Sequence, residues 1–280
     1  MIEINFPDEK NIKTAICLIS KQENRYIKEF VEYYKKLNIN KIFLYDNNDI
    51  NGEHFEGILS NFTKLNFVEI INYRGKHKPQ FQAYNHCYIT NNKNFNWIAF
   101  LDTDEFLYIR LYSDINKFLS LSKFKRCSSI LINWKYYGDN GNLYYEPRPL
   151  QERFTKPFYF NIKHNINQYL YSAGKTIVRS GLNLSWEHFP HYLKNGPICR
   201  PNGNILKNYL SRPQYYNAYI KHFATKSTEE FIERVIRGTV NSNQTSEYLM
   251  FKIKDYYFLF NKFNKEKKFM FEKKFNISLA

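Results

Sequence analysis

The sequence predicts an α/β fold in which helices flank a mostly parallel sheet. Two observations support this prediction. Strand-like and helical segments alternate from residue 14 to residue 110, which is typical of parallel sheets whose strands are connected by helices. In addition, an acidic turn follows directly after the fourth apolar strand, and the carboxyl ends of such strands are where ligands bind in open α/β sheets.

Each element of the first half has a local signature. Residues 14–20 (TAICLIS) form an apolar run typical of a buried strand, and residues 24–37 then place apolar side chains at helical spacing. Residues 41–46 (KIFLYD) form a second strand that ends in an Asn-rich turn. The later predicted elements of this half are a short helix at 54–62, a strand at 65–71, a helix at 79–88 and a strand at 97–101.

The second half is less regular and predicts a smaller α+β region followed by a helical C-terminal tail. Strand-like runs lie at 128–134, 175–179 and 215–223. Ser227 and Glu230 form a capping box that opens a helix, and Gly238 is placed to end it. We find no linker, so we expect a single domain over residues 1–280.

The formal net charge of +15 indicates an anionic partner. Nucleic acid, an anionic membrane surface and phosphorylated small molecules all satisfy this condition, and charge alone does not choose among them. The segment from Tyr248 to Phe275 interleaves aromatic residues with lysines. Such a segment either packs on the domain or lies in an anionic membrane interface; we expect packing for its first part and membrane contact for the stretch from Phe269 to Ala280.

Four cysteines stand far apart in the sequence, at Cys17, Cys87, Cys127 and Cys199. Their spacing matches neither a zinc motif nor a disulfide framework, so we expect free thiols in a reducing cytoplasm. The first 13 residues are polar, and no window holds the roughly 20 apolar residues of a membrane-spanning helix. We therefore expect neither a cleaved signal nor a transmembrane segment.

The acidic turn is the sharpest chemical feature of the sequence. Residues 101–106 (LDTDEF) place Asp102 and Asp104 two positions apart where the fourth strand ends. Two carboxylates in this arrangement can converge on one hard divalent cation, which can bridge and neutralise the oxygens of a diphosphate leaving group. An isolated D-x-D is more often a solvated turn, but its position after a buried strand favours the metal site.

Several segments, in order along the chain, resemble glycosyltransferases of the GT-A fold, and among these the bacterial family 2-like and family 92-like enzymes. They are ICLISKQEN at 16–24 with the following helix, FLYDNN at 43–48, QAYN at 82–85, LDTDEF at 101–106, NWKYYG at 133–138 and KHF at 221–223. The resemblance implies a GT-A-like, Rossmann-like fold. It divides the single domain into a nucleotide-sugar-binding half at 14–110, an acceptor half at 111–240 and a basic aromatic tail at 241–280.

The resemblance also implies a nucleotide-sugar site at the strand ends. Its expected residues are Lys21, Glu23, Asp46, Lys76, Gln82, Asp102 and Thr103. Asp102 and Asp104 are the expected ligands of Mn²⁺ or Mg²⁺, with His222 as the third ligand because imidazole suits manganese. Alternatives stay open: Asp46 as an Asx turn, residues 74–78 as a solvated basic loop, and His222 as a structural histidine.

An inverting enzyme of this kind needs a general base that takes the proton of the acceptor hydroxyl. The candidates are Asp139, Glu187, His188 and His191, the last three in the run WEHFPH at 186–191. An aromatic and ionisable cluster suits an acceptor pocket in which rings stack on sugars. A structural loop explains the same run equally well, and Asp139 is also explained as a turn residue.

The resemblance therefore implies a metal-dependent hexosyltransferase. The first candidate donor is UDP-galactose, and the acceptor is an oligosaccharide or a lipid-linked glycan. The expected role is the synthesis of bacterial lipooligosaccharide, lipopolysaccharide or capsule, in the cytoplasm or peripherally on the cytoplasmic face of the inner membrane. Three alternatives are a basic nucleic-acid-binding protein, a metal-dependent phosphotransferase or nuclease, and a non-catalytic carbohydrate-binding protein. The first leaves the acidic turn unexplained and the second usually needs more carboxylates, so we expect no nucleic acid partner.

Overall fold

The computed structural model describes residues 12–158, 172–183, 186–188, 192–193, 196–208, 210–238 and 246–279. The elements up to residue 119 are β1 (Thr14–Ser20), α1 (Ile27–Lys36), β2 (Lys41–Asp46), α2 (Glu56–Lys64), β3 (Val68–Asn72), α3 (Gln80–Asn91), β4 (Trp97–Phe100), β5 (Glu105–Ile109) and α4 (Ile115–Leu119). A 3₁₀ turn at Ser122–Phe124 then precedes β6 (Ser129–Tyr136), α5 (Leu150–Arg153), β7 (Gly174–Arg179), β8 (Trp186–His188), β9 (Tyr192–Leu193), β10 (Ile198–Cys199) and β11 (Ala218–His222). The remaining elements are α6 (Thr228–Arg237), α7 (Ser246–Met250), a π-helix (Phe251–Tyr257), α8 (Phe258–Phe260) and α9 (Lys265–Phe275).

The described strands form a nine-stranded sheet in the order β3-β2-β1-β4-β7-β6-β11-β5, with β10 beside β6; β8 and β9 pair separately. Strands β3, β2, β1 and β4 are parallel, as predicted. Strand β7 pairs antiparallel with β4 and with β6, so the sheet is mixed. The predicted α/β class with a parallel strand set, helices and a helical tail is confirmed.

The chain divides into two compact units. The first is drawn from Met1–Trp134 and Ile162–Ile220, and the second from Lys135–Asn161 and Lys221–Ala280. The predicted single domain, with a nucleotide-sugar-binding half, an acceptor half and a tail, stays a prediction. Strand β7, from the predicted α+β region, lies next to β4 in the main sheet.

The periodicity of α1 explains how it covers the sheet in the first unit. Ile27, Phe30, Val31 and Tyr34 follow helical spacing and are buried, whereas Lys28 on the same helix is exposed. The Tyr34 hydroxyl donates to the carbonyl oxygen of Glu105 at 2.9 Å. The first helix is therefore fixed to the segment that follows the acidic turn.

The cysteines are paired, so the prediction of free thiols is wrong. Disulfides join Cys17 to Cys87 and Cys127 to Cys199, and all four residues are buried. The first bond links β1 to α3, two elements that pack on each other. The expectation of a reducing cytoplasm rested on these thiols and loses that support, because disulfides persist mainly in oxidising compartments.

In the second unit, the predicted capping box opens α6. The Ser227 hydroxyl accepts from the Glu230 backbone N–H, and the Glu230 carboxylate accepts from the Ser227 backbone N–H. The helix ends at Gly238, whose φ of 77° suits glycine. The Glu230 carboxylate is also bound by both terminal nitrogens of Arg153, at 2.7 and 2.8 Å.

The C-terminal tail packs through aromatic rings within the same unit. The centroid of the Tyr257 ring lies 4.7 Å from the centroid of the Phe231 ring and 5.0 Å from that of the Phe271 ring. Phe271 and Leu279 are buried, although both belong to the stretch expected at a membrane. None of the described helices is long and apolar enough to cross a bilayer.

Candidate active site

The carboxyl ends of β1, β2 and β3 are level with one another. In the sheet register Ser20 lies opposite Asp46, and Asp46 lies opposite Asn72. Cys17 lies opposite Phe100, so the acidic turn leaves β4 beside the end of β1. The Ser20 and Thr103 hydroxyl oxygens are 3.0 Å apart, which joins these two strand ends directly.

The acidic turn is closed by its own backbone and by Glu105. The Glu105 backbone N–H donates to the Asp102 carbonyl oxygen, and the Asp102 backbone N–H donates to Glu105 Oε2, each at 3.0 Å. The Asp102 side chain is 39% exposed, whereas Asp104 and Thr103 are buried. Of the two predicted metal ligands, Asp102 is thus the one more open to solvent.

The Asp102 carboxylate is held on both oxygens by residues that the sequence analysis did not assign to the site. Lys175 Nζ lies 2.9 Å from Asp102 Oδ2, and the Tyr84 hydroxyl donates to Asp102 Oδ1 at 3.3 Å. Tyr84 belongs to the QAYN segment on α3, whereas Lys175 comes from β7, 73 residues after Asp102. The strand GKTIVR carries two charged residues, Lys175 and Arg179, and its local pattern does not single out Lys175.

The charges of this cluster are strongly coupled. Burial alone would lower the pKa of Lys175, but the attraction of Asp102 and Glu105 outweighs it and raises the pKa above the usual lysine range, so the ammonium stays charged. Burial raises the pKa of Glu105 well above its usual range, with the Asp102 and Asp104 carboxylates adding to the effect and Lys175 opposing it. Burial likewise raises the pKa of the Tyr84 hydroxyl, which remains a donor.

Asp46, predicted to contact the nucleotide, organises the loop after β2, and its predicted nucleotide contact stays a prediction. Its Oδ1 accepts from the Asn48 backbone N–H at 2.9 Å, and its Oδ2 accepts from Arg74 at 2.7 Å. Arg74 also donates to the carbonyl oxygens of Asp49 and Glu53. This geometry favours the Asx-turn alternative for Asp46. It also shows that Arg74, in the predicted basic loop at 74–78, has a structural role.

The other predicted donor-site residues lie around the same strand ends with different surroundings. Lys21 Nζ lies 2.7 Å from Asp49 Oδ1, in the loop that Arg74 organises. The carbonyl oxygen of Glu23 accepts from the backbone N–H groups of Tyr26 and Ile27 and so starts α1. Lys76 Nζ lies 3.8 Å from the centroid of the Tyr73 ring, and Gln82 is exposed on α3.

Asp139, a predicted base, lies buried in the second unit. Its Oδ1 accepts from the Gly141 backbone N–H at 2.9 Å, and its Oδ2 accepts from the Tyr257 hydroxyl at 2.6 Å. The Lys267 ammonium lies 2.5 Å from the same Oδ2. These contacts favour the alternative that Asp139 is a turn residue, one that also ties the C-terminal helix to the turn.

The remaining candidates are only partly placed. His222 is buried in the second unit, where the centroid of its ring lies 5.3 Å from the centroid of the Tyr136 ring. The backbones of Glu187 and His188 belong to β8, but their side chains, like the whole of His191, lie outside the described part of the chain. The predictions for these residues stay predictions.

The acidic turn supplies few protein ligands of its own for a divalent cation. Within the described ranges, no group of three or more His, Cys, Asp and Glu side chains is gathered as a metal site. Mg²⁺ and similar ions are commonly held by one or two carboxylates together with substrate phosphates and water. A carboxylate oxygen has two acceptor positions, so Asp102 can bind Lys175 and still face a cation. The donor set therefore fits a cation that binds together with a diphosphate.

Comparison with known proteins places these features in a family. A family model described as Glycosyltransferase family 92 matches residues 13–273. A family 92 protein of Ricinus communis is 25% identical over 101 residues, which are 36% of this chain and 18% of that protein. A family 92 protein of Oryza sativa subsp. japonica is 26% identical over 94 residues, 34% of this chain and 16% of that protein. The chain spans less than a fifth of the length of these curated relatives.

Solved structures give weaker similarity. The crystal structure of S. aureus TarS 1-349 is 12% identical, with 91% of this chain and 77% of that chain covered at a TM-score of 0.42. The structure of the same fragment in complex with UDP covers 59% of this chain and 46% of that chain, with 12% identity and a TM-score of 0.37. These scores support no argument about the site.

Proposed function

Since the chain belongs to glycosyltransferase family 92, we propose that it transfers a hexose from a nucleotide sugar to a glycan acceptor. The first candidates are galactose for the hexose and UDP for the nucleotide. The observation that carries the proposal is the acidic turn at the carboxyl end of β4, with Asp102 held by Lys175 and Tyr84. Held carboxylates at this edge of a parallel sheet suit the binding of a diphosphate through a cation.

The residues of the turn would act on the leaving group. In the transfer, the acceptor hydroxyl oxygen forms a bond to the anomeric carbon, and the bond from that carbon to the diphosphate oxygen breaks. Asp102 and Asp104 would hold Mn²⁺ or Mg²⁺, with His222 as the proposed third ligand. When bound, that cation neutralises charge on the departing diphosphate. Asp102 and Asp104 thus orient the donor, while the buried Lys175 keeps Asp102 in place.

A base must take the proton of the acceptor hydroxyl if the reaction is inverting, as we propose. Glu187 and His188 are preferred over Asp139, because both Asp139 oxygens are engaged by Gly141, Tyr257 and Lys267. The proposed pathway, synthesis of a bacterial surface glycan at the cytoplasmic face of the inner membrane, rests on the sequence resemblance alone.

A thermal-shift panel tests the donor and the metal together. We expect UDP with Mn²⁺ to raise the Tm, because a ligand at about 100 times its Kd stabilises the native state by roughly 2.7 kcal/mol. Either component alone is expected to give a much smaller shift. GDP, CMP and their sugars serve as nucleotide controls, and EDTA controls for the metal.

Two results would contradict the proposal. A Tm that responds to an oligonucleotide but to no nucleotide sugar would support the nucleic-acid alternative suggested by the charge of +15. Metal-dependent nucleotide binding without any hydrolysis or transfer of the sugar would support the non-catalytic alternative.

We also propose that the tail contacts an anionic membrane surface where a lipid-linked acceptor lies. Phe263 and Phe269 are 51% and 63% exposed beside exposed lysines, which suits an anionic interface. A Phe263→Ser/Phe269→Ser variant is expected to bind phosphatidylglycerol vesicles about tenfold more weakly, because each ring loses apolar burial. Tyr144→Ser, at an equally exposed ring outside the tail, is the control. Unchanged vesicle binding by the double variant would remove the tail from the proposal.

A further inference from the structure

Lys175 is a buried ammonium directly behind the acidic turn. Its side chain is 2% exposed, and its Nζ lies 2.9 Å from Asp102 Oδ2 and 3.9 Å from Glu105 Oε2. A buried lysine is stable only when it is paired, and these two carboxyl groups supply the pairing. The ion pair is therefore an intrinsic part of the turn.

The backbone of β7 fixes where this ammonium lies. Ile177 pairs with Ala99 on β4, and continuing that antiparallel register brings Lys175 beside Leu101, next to Asp102. On the other side, a Cβ atom at Gly174 would lie 2.1 Å from the carbonyl oxygen of Ile132 on β6. Only glycine permits this close approach of β7 to β6, so the strand carrying Lys175 is held from both sides.

The ammonium also sets the charge of the turn. Asp102, Asp104 and Glu105 bring three carboxyl groups into four residues, and Lys175 adds a positive charge that stays in place. A divalent cation that binds Asp102 must therefore share this carboxylate with Lys175. The ammonium repels the cation and occupies Oδ2, so it weakens binding of the metal alone. The negative charge of a diphosphate offsets that repulsion.

We propose that Lys175 is a positioning residue that fixes the Asp102 carboxylate and makes binding of the divalent cation depend on the donor diphosphate. This inference rests on the proposed function, because it assigns Asp102 to the cation site of a nucleotide-sugar transferase. Lys175 itself is buried behind the carboxylate and acts through it.

The test compares Lys175→Met, which removes the charge, with Lys175→Arg, which keeps it. Mn²⁺ binding is measured by electron paramagnetic resonance with and without UDP, and kcat and KM are measured for donor turnover. For Lys175→Met we expect the affinity for Mn²⁺ alone to rise on the order of tenfold, since a repelling charge is removed. We expect kcat to fall about 10–100-fold, since the ligand carboxylate loses its support. Lys175→Arg is expected to restore the low affinity for Mn²⁺ alone and part of kcat.

Lys41→Met is the matched control. Lys41 is also a buried lysine of the sheet, paired at 3.3 Å with Glu69, but it lies at the amino end of β2, away from the acidic turn. The Lys41→Met substitution should leave the affinity for Mn²⁺ and kcat unchanged. If Lys175→Met does not fold, Lys175→Gln, which is neutral but still donates a hydrogen bond, takes its place.

The outcomes distinguish a failure of the proposed function from a failure of the inference about Lys175. A wild-type protein without Mn²⁺-dependent UDP binding would contradict the proposed function itself. This inference alone would be overturned by a second combination of results. In that case the wild type binds and turns over the donor, but the neutral Lys175 variant has an unchanged or lower affinity for Mn²⁺ alone. A Lys175 variant that is merely destabilised cannot give the expected result, because destabilisation does not raise the affinity for Mn²⁺.

Discussion

An Asp104→Asn variant is expected to lose about 10²–10³-fold in kcat/KM for sugar transfer. Asparagine has the size of aspartate, so the buried turn keeps its packing. It has no negative charge, so at the proposed metal site the diphosphate would lose most of the cation that neutralises it. The loss should appear in donor hydrolysis as well as in transfer, because both reactions break the same bond to the diphosphate.

The control for this experiment is Glu32→Gln, at a carboxylate of α1 that is 48% exposed and pairs only loosely with Lys28 at 4.0 Å. It should transfer sugar at the wild-type rate. The kinetics are measured over a Mn²⁺ titration, with the Tm of each variant as a check on folding. Full metal-dependent turnover by Asp104→Asn would remove Asp104 from the metal site and return the D-x-D to the status of a solvated turn.

The positions of the strands near the site were predictable because their signals are local. Residues 14–20, 41–46 and 97–101 each combine an apolar run with a polar end, and β1, β2 and β4 lie there within one residue. Their parallel pairing follows from the intervening helices, which leave the carboxyl ends at one edge. The position of Asp102 and Asp104 at that edge could thus be derived from the sequence alone.

The surroundings of Asp102 could not be derived in this way, because they come from distant segments. Lys175 reaches Asp102 only because β7 inserts antiparallel beside β4, and nothing in the local pattern of GKTIVR specifies that neighbour. The Cys17–Cys87 disulfide likewise joins segments that lie 70 residues apart in the chain, so the local pattern around either cysteine does not specify it. Cys87 shares the buried face of α3 with Tyr84, a feature of helical spacing that could have signalled its approach to the sheet.

The ends of strands also carry polar residues whose work is structural, and sequence position does not separate them from ligand-binding residues. Asp46 ends one buried strand and Asp102 follows another, yet the Asp46 side chain is 1% exposed and bound by Arg74, whereas the Asp102 side chain is 39% exposed. Each carboxylate is paired with a basic side chain, Arg74 or Lys175, so the difference depends on how much of the carboxylate the surrounding residues leave open to solvent. That is a property of packing, and a motif does not report it.

An Arg153→Met variant is expected to lose about 3–5 kcal/mol of unfolding free energy. Arg153 and Glu230 are each 1% exposed, and the guanidinium binds both carboxylate oxygens. Methionine fills much of the volume of arginine but leaves the Glu230 carboxylate buried without its guanidinium. The capping box at Ser227 depends on the same carboxylate, so α6 should lose protection in hydrogen exchange together with the loss in a denaturant titration.

The same unit offers a matched control, because Arg148 and Glu146 form the same two-bond pair in water. Their nitrogen–oxygen distances are 2.6 and 2.8 Å, and their side chains are 54% and 48% exposed. Arg148→Met should therefore change the denaturation midpoint far less than Arg153→Met, since solvent screens the pair and replaces its hydrogen bonds. Equal effects of the two substitutions would mean that burial does not set the strength of the Arg153–Glu230 pair.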